Sequence, residues 1–168
     1  YRGEDSRAIA FEKIHAEHGI VHKKDMMSRF CELSDMVLAE GYKRVFAIDS
    51  DVAVFEDVDE LFAGFDEDIV TPCDYCSQVA LYTAEALSSF CDSHLEYWQQ
   101  APEKLEKMII KYGGAKWDAN NINNARGWND MQQLKAYIHE HWAKENNSTY
   151  RILTRPPATP LIPYPFVW

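Results

Sequence analysis

Hydrophobic and polar positions divide the chain into alternating helical and extended segments. From Asp25 onward, apolar residues recur at three- and four-residue spacing, and Gly41 ends the pattern, which predicts an amphipathic helix. The run at residues 44–55 that follows is almost continuously apolar, interrupted by two aspartates. A short apolar run of this kind is typical of a strand buried on both faces. A helix feeding directly into a buried strand predicts an α/β fold.

Similar patterns predict further elements on both sides of this strand. Asp57, with Glu60 three residues later, predicts the N-terminal cap of a short helix. Residues 8–18 also have helical character. The remaining predicted elements are strands at residues 68–72, 78–82 and 150–154, and helices that begin at Thr83, Pro102 and Asn129.

The apolar strand ends in Asp49 and Asp51, and this pair is the first candidate for chemistry. Residues two apart in a strand point to the same side, so the two carboxylates would repel each other. A divalent cation relieves that repulsion, and hard oxygen ligands suit Mg²⁺, Mn²⁺ or Ca²⁺. Ligands of open α/β sheets collect at the carboxyl edge, where these residues are expected. The alternative is a surface turn with two solvated aspartates.

Residues 44–62, RVFAIDSDVAVFEDVDELF, resemble the Asp-x-Asp segment of GT-A glycosyltransferases. The resemblance implies a GT-A-like (Rossmann-like) mixed sheet flanked by helices. It also implies that Asp49, Ser50 and Asp51 bind the donor. Asp49 and Asp51 would hold Mn²⁺ (or Mg²⁺), and the metal would hold the diphosphate of a nucleotide sugar.

A second segment, WNDM at residues 128–131, is similar to an Asp-Met element that GT-A relatives carry at a helix start on the acceptor side. By that resemblance Trp128, Asn129 and Asp130 bind the acceptor, and Asp130 is the catalytic candidate. The positive end of the helix dipole stabilises a first-turn carboxylate, which suits it to accept hydrogen bonds from hydroxyls. Alternatively, Asn129 and Asp130 only cap the helix, and Trp128 fills the core.

The resemblance covers residues 25–137 and departs from the family in three places. Ser77 and Gln78 stand where a small residue and Gly are expected. A GT-A domain begins with a βαβ unit of about 30 residues or more, whereas only 43 residues precede Arg44 and the helix from Asp25 takes part of them. The family's late metal-binding His is not recognisable beyond the Asp130 helix. We therefore expect a fold that is partial on its N-terminal side, in a chain that is a fragment or a processed form.

The domain organisation follows from the distribution of proline. Five of the seven prolines fall between Pro156 and Pro165, which predicts an extended tail. We expect a single α/β domain at residues 1–155 and a Pro-rich tail at residues 156–168.

Composition limits the partners. The chain has 168 residues, 46% of them hydrophobic, enough for a domain with a real core. Its net charge of −10 argues against nucleic acid, since phosphate binding needs a basic face. No stretch approaches the roughly 18 apolar residues of a membrane span. Two overlapping sequons at residues 146–149 favour the secretory pathway, and for a glycosyltransferase the Golgi lumen.

The sequence predicts a metal-dependent glycosyltransferase domain. It would transfer a sugar from a nucleotide-diphosphate sugar to a hydroxyl of a glycan, protein or small-molecule acceptor. One alternative is a non-catalytic GT-A-like structural or binding module in a larger assembly. The short segment before Arg44 and the missing late His favour this alternative. Another is a calcium-stabilised binding domain. The complete Asp-x-Asp pattern at the end of an apolar strand favours the enzyme.

Overall fold

The fold combines a mixed β-sheet with helices, so the predicted α/β class is confirmed. The computed structural model describes residues 6–17, 24–50, 52–72, 76–77, 79–113, 130–142, 150–152 and 166–167. The helices are α1 (Arg7–Glu17), α2 (Lys24–Glu40), α3 (Val58–Phe62), α4 (Ala84–Gln99), α5 (Pro102–Gly113) and α6 (Asp130–Tyr137), which continues as a π-helical segment (Ile138–Trp142). The strands are β1 (Arg44–Ile48), β2 (Ala53–Val54), β3 (Ile69–Thr71), β4 (Val79–Thr83), β5 (Tyr150–Ile152) and β6 (Phe166–Val167).

The main sheet has the strand order β1-β4-β3-β5. Strand β4 pairs antiparallel with β1, with Phe46 opposite Leu81, and antiparallel with β3, with Ile69 opposite Tyr82. Strands β3 and β5 are parallel. The described sheet is therefore mostly antiparallel, and the finer GT-A assignment remains a prediction.

The strand that is buried on both faces is β4, not β1. Residues 79–82 of β4 are all buried, with side chains alternating between the two faces of the sheet. Strand β1 lies at the edge of the described sheet, where only Ala47 is buried and Ile48 is exposed. The expectation of a fully buried β1 is wrong in the described residues, because an edge strand has a neighbour on one side only.

The larger of two hydrophobic clusters lies between the sheet and helices α2, α4 and α6. The Phe90 ring is central to it, with ring-centroid distances of 5.8 Å to Phe30, 6.4 Å to Tyr82 and 5.4 Å to Tyr137. Helix α1 covers α2 and α4, and its Arg7 forms a 2.7 Å ion pair with Asp35. This cluster fixes where α2 and α6 stand relative to the end of β1.

The smaller cluster lies on the opposite face of the sheet. Phe46 of β1 and Phe62 of α3 meet there with their ring centroids 4.9 Å apart, and Leu81 of β4 packs beside them. Asp57 caps α3 as predicted, because its carboxylate accepts hydrogen bonds from the backbone N–H groups of Asp59 and Glu60.

The side chains of Cys31, Cys76 and Cys91 are buried, and Cys31 and Cys91 are free thiols. Burial raises the pKa of the Cys91 thiol well above its ordinary value, so this group stays protonated at neutral pH. Cys73 lies outside the described residues.

Part of the predicted tail takes part in the fold. Strand β6 pairs antiparallel with β2, with Ala53 opposite Val167 and Val54 opposite Phe166. Strand β6 therefore lies beside residues 53–54, which follow the Asp-x-Asp segment in the sequence. Residues 153–165 lie outside the described part, so the domain boundary at residue 155 stays a prediction.

We expect Phe90→Ala to lower the free energy of unfolding by about 3–5 kcal/mol, because it removes a buried ring from the centre of the larger cluster. The matched control is Phe55→Ala, since the Phe55 side chain is 72% exposed and should change stability by less than about 0.5 kcal/mol. Urea unfolding followed by circular dichroism measures both. Equal effects of the two variants would contradict this packing.

Candidate functional site

The candidate site begins where β1 ends. Asp49 follows Ile48 directly, and its backbone carbonyl accepts a 3.1 Å hydrogen bond from the Val52 N–H, which turns the chain. Beside it lies a cavity of about 290 Å³ between helix α2 and the end of β1. The cavity is lined by Arg29, Phe30, Leu33, Phe46, Ala47, Ile48, Asp49 and Ser77.

Arg29 connects two of the residues that the sequence analysis selected. Its Nη1 forms an ion pair with Oδ1 of Asp49, and its Nη2 lies 3.3 Å from Oδ2 of Asp130. The Arg29 side chain is 40% exposed, whereas Asp49 is 17% and Asp130 0% exposed. The guanidinium therefore joins α2, the end of β1 and the start of α6 in one cluster. Arg29 and Asp130 are 101 positions apart in the sequence.

Asp130 is fully buried at the first residue of α6. Its Oδ2 accepts hydrogen bonds from Arg29 and from the Ser77 hydroxyl, while its Oδ1 has no partner among the described residues. A buried carboxylate needs such partners, because leaving it unpaired costs several kcal/mol. The predicted contact of Asp130 with an acceptor stays a prediction, since in this arrangement the carboxylate faces Arg29 and Ser77.

The charges of the cluster do not balance. Asp49 and Asp130 carry two negative charges, and the Arg29 guanidinium supplies one positive charge. Tyr82 is also buried near this cluster, and its hydroxyl has no hydrogen-bond partner among the described residues. Burial raises the pKa of the Tyr82 hydroxyl well above its ordinary value, and the negative charge of Asp130 raises it further. The tyrosine is therefore neutral, and the cluster keeps an excess negative charge.

This excess charge suits a cation. Asp49 offers carboxylate oxygens at the cavity, which are the ligand type that Mn²⁺ and Mg²⁺ prefer. Within the described ranges, no group of three or more His, Cys, Asp and Glu side chains has metal-site geometry. Asp51, the second predicted ligand, lies outside those ranges. In the described part of the site, Asp49 is the carboxylate that lines the cavity, and it is paired with Arg29, so a metal at Asp49 and Asp51 stays a prediction.

The structure brings together Asp49 and Asp130, and it adds two residues that the sequence analysis did not select. Ser50 follows Asp49 in an exposed turn. Trp128 and Asn129, like Asp51, lie outside the described residues. The additions are Arg29 and Ser77. In the sequence, Ser77 stood out only as a departure from the family pattern. The one sequence feature that could have indicated Arg29 is its position as a basic residue in the helix that leads into β1.

Comparisons of the chain with protein-family profiles, with curated proteins and with solved structures found no match. The helices of the described residues include none with the length and apolar character needed to cross a bilayer.

We expect Arg29→Met to lower the free energy of unfolding by about 1–3 kcal/mol, because it leaves the buried Asp130 charge with Ser77 as its described partner. Solvent around the half-exposed guanidinium keeps the cost below that of a fully buried ion pair. Urea unfolding measures the change.

Two further variants show whether the effect comes from this ion pair. Arg29→Met combined with Asp130→Asn removes both charges and should be less destabilised than the sum of the single variants. Lys111→Met breaks the exposed Lys111–Glu140 pair and should leave stability nearly unchanged. Strict additivity of the two single changes would contradict a direct coupling.

Proposed function

We propose that this chain is the GT-A-like domain of a metal-dependent glycosyltransferase. It would transfer a sugar from a nucleotide-diphosphate sugar to an acceptor hydroxyl of a glycan, a protein or a small molecule. The Arg29 bridge between Asp49 and Asp130 is the observation that supports this proposal most.

The bridge supports the proposal because it links the two halves of the expected site. The family resemblance assigns Asp49 to the donor and Asp130 to the acceptor, and transfer requires donor and acceptor to meet. Each of the two carboxylates pairs with the same guanidinium, at a cavity between α2 and the end of β1.

Each residue of the site would have its own part in sugar transfer. Asp49 and Asp51 would hold Mn²⁺ or Mg²⁺, which when bound supplies the positive charge that stabilises the leaving nucleoside diphosphate. Arg29 holds the Asp49 carboxylate in place and balances the charge of Asp130. Asp130 would accept a hydrogen bond from a sugar hydroxyl. The donor would also contact Ser50, and the acceptor would also contact Trp128 and Asn129.

A non-catalytic module remains the second candidate, and one observation favours it. The Asp49 carboxylate forms an ion pair with Arg29 inside the chain, and Asp130 is fully buried. A domain that kept the fold and lost transfer would retain this internal ion pair for stability.

We expect Mn²⁺ to raise the melting temperature of the chain, because a metal at Asp49 and Asp51 binds the folded state only. The double variant Asp49→Asn, Asp51→Asn should abolish the shift. The matched control is Asp57→Asn, Asp59→Asn, which alters a second, exposed Asp-x-Asp pair and should keep the shift. A shift of the same size in all three proteins would place the metal elsewhere.

We expect the chain with Mn²⁺ to cleave or transfer sugar from a uridine- or guanosine-diphosphate sugar. Asp130→Asn should lower kcat/KM at least about tenfold, because a charge-assisted hydrogen bond is worth roughly 1.5–3 kcal/mol. Asp92→Asn, at an exposed position on α4, is the control. Metal binding without turnover of any donor would favour the non-catalytic module.

A further inference from the structure

Two buried cysteines lie where helices α2 and α4 pack together. Cys31 belongs to α2 and Cys91 to α4, and both side chains are 0% exposed within the larger hydrophobic cluster. Their neighbours in the sequence are in contact, because the rings of Phe30 and Phe90 lie edge to face with centroids 5.8 Å apart. The two helices are therefore close together at the level of the cysteines.

Arg7 joins the same two helices next to the cysteines. Its guanidinium donates a 2.7 Å hydrogen bond to the Ser34 hydroxyl and a 2.8 Å hydrogen bond to the Ser88 hydroxyl. Ser34 lies three residues after Cys31, on the same face of α2. Ser88 lies three residues before Cys91, on the same face of α4. One guanidinium reaches both serines only where these two faces are turned toward each other.

The two thiols are themselves neighbours. Burial raises the pKa of the Cys91 thiol well above its ordinary value, and a hydrogen bond with Cys31 raises it further. Such a bond requires the two sulfur atoms to lie side by side. The structure shows the pair in its reduced form. Two cysteines in contact across a helix pair meet the first requirement of a disulfide, which is closeness of the two side chains.

We propose that Cys31 and Cys91 form a disulfide between α2 and α4 when the chain folds in an oxidising compartment. The sequons at residues 146–149 favour such a compartment. The bond would close the segment from residue 31 to residue 91 into a loop, which restricts the unfolded chain and so stabilises the fold. It would also fix α2, which carries Arg29 two residues before Cys31. This inference is independent of the proposed transferase activity, because it rests on the contact between the helices.

The oxidant is a small disulfide such as oxidised glutathione. The thiolate of one cysteine attacks it, which forms a mixed disulfide and releases one glutathione. The second cysteine then attacks the protein sulfur of the mixed disulfide, which forms the Sγ–Sγ bond and releases the second glutathione. The two cysteines lose two electrons and two protons, and the two glutathione thiols gain them. Because both side chains are buried in the folded chain, the exchange takes place during folding, before the thiols are covered.

The experiment is refolding of the full chain from denaturant, with either a mixture of reduced and oxidised glutathione or dithiothreitol. Disulfides are then mapped by mass spectrometry after cleavage at glutamate without reduction. Glu85 lies between Cys76 and Cys91, so the fragment with Cys91 is separate from the one with Cys73 and Cys76. We expect the fragment with Cys31 to be linked to the fragment with Cys91 in the glutathione sample only.

Thermal melts give a second readout. The chain refolded with glutathione should melt at least about 5 °C higher than the chain refolded with dithiothreitol. Cys91→Ala should remove this difference, because it deletes one partner of the bond. The matched control is the double variant Cys73→Ser, Cys76→Ser, which keeps Cys31 and Cys91 and should retain the difference.

Three results would overturn the proposal. The first is a wild-type chain that regains its native circular dichroism in glutathione while Cys31 and Cys91 remain thiols. The second is a link from either of them to Cys73 or Cys76. The third is a Cys31–Cys91 bond that lowers the melting temperature, since the helix contact would then not accommodate it. The mapping uses the wild-type chain, so it gives an answer even where a variant fails to fold.

Discussion

The ion pair between Arg29 and the buried Asp130 is the constraint on which the candidate site depends. A fully buried carboxylate must be paired, and the fold meets this need with a guanidinium from α2 and a hydroxyl from Ser77. Helix α2 is held in turn by the cluster around Phe90, which packs α2, α4 and α6 against the sheet. The position of the site is thus a consequence of core packing.

The same guanidinium links stability to site chemistry. Arg29 also pairs with Asp49, so one positive charge serves two carboxylates in different elements. A metal at Asp49 would compete with Arg29 for the carboxylate or share it, and in either case the charge facing Asp130 would change. We therefore expect metal binding to change the stability of the buried ion pair. Whether the pair is stabilised or destabilised depends on how far Arg29 moves.

Local sequence patterns predicted most helices and strands, whereas features that depend on pairing between distant residues could not be predicted. The helices α2, α4 and α5 and the cap at Asp57 follow from periodicity and capping residues, which act over a few positions. The position of β1 at the sheet edge does not follow from such local patterns. An apolar run looks the same in an edge strand and in a central strand until the neighbouring strands are known. The Arg29–Asp130 pair joins residues 101 positions apart, so no local pattern indicates it.

The chain contains the Asp-x-Asp pattern three times within residues 49–68, and the surroundings distinguish the first occurrence from the second. Asp57 is exposed, and its carboxylate is occupied by the backbone N–H groups at the start of α3. Asp49 lies at a cavity, is 17% exposed, and faces a guanidinium that also contacts a buried acid. The first arrangement stabilises a helix end. The second places a carboxylate and a guanidinium side by side at a cavity, which is why Asp49 rather than Asp57 is the candidate for chemistry.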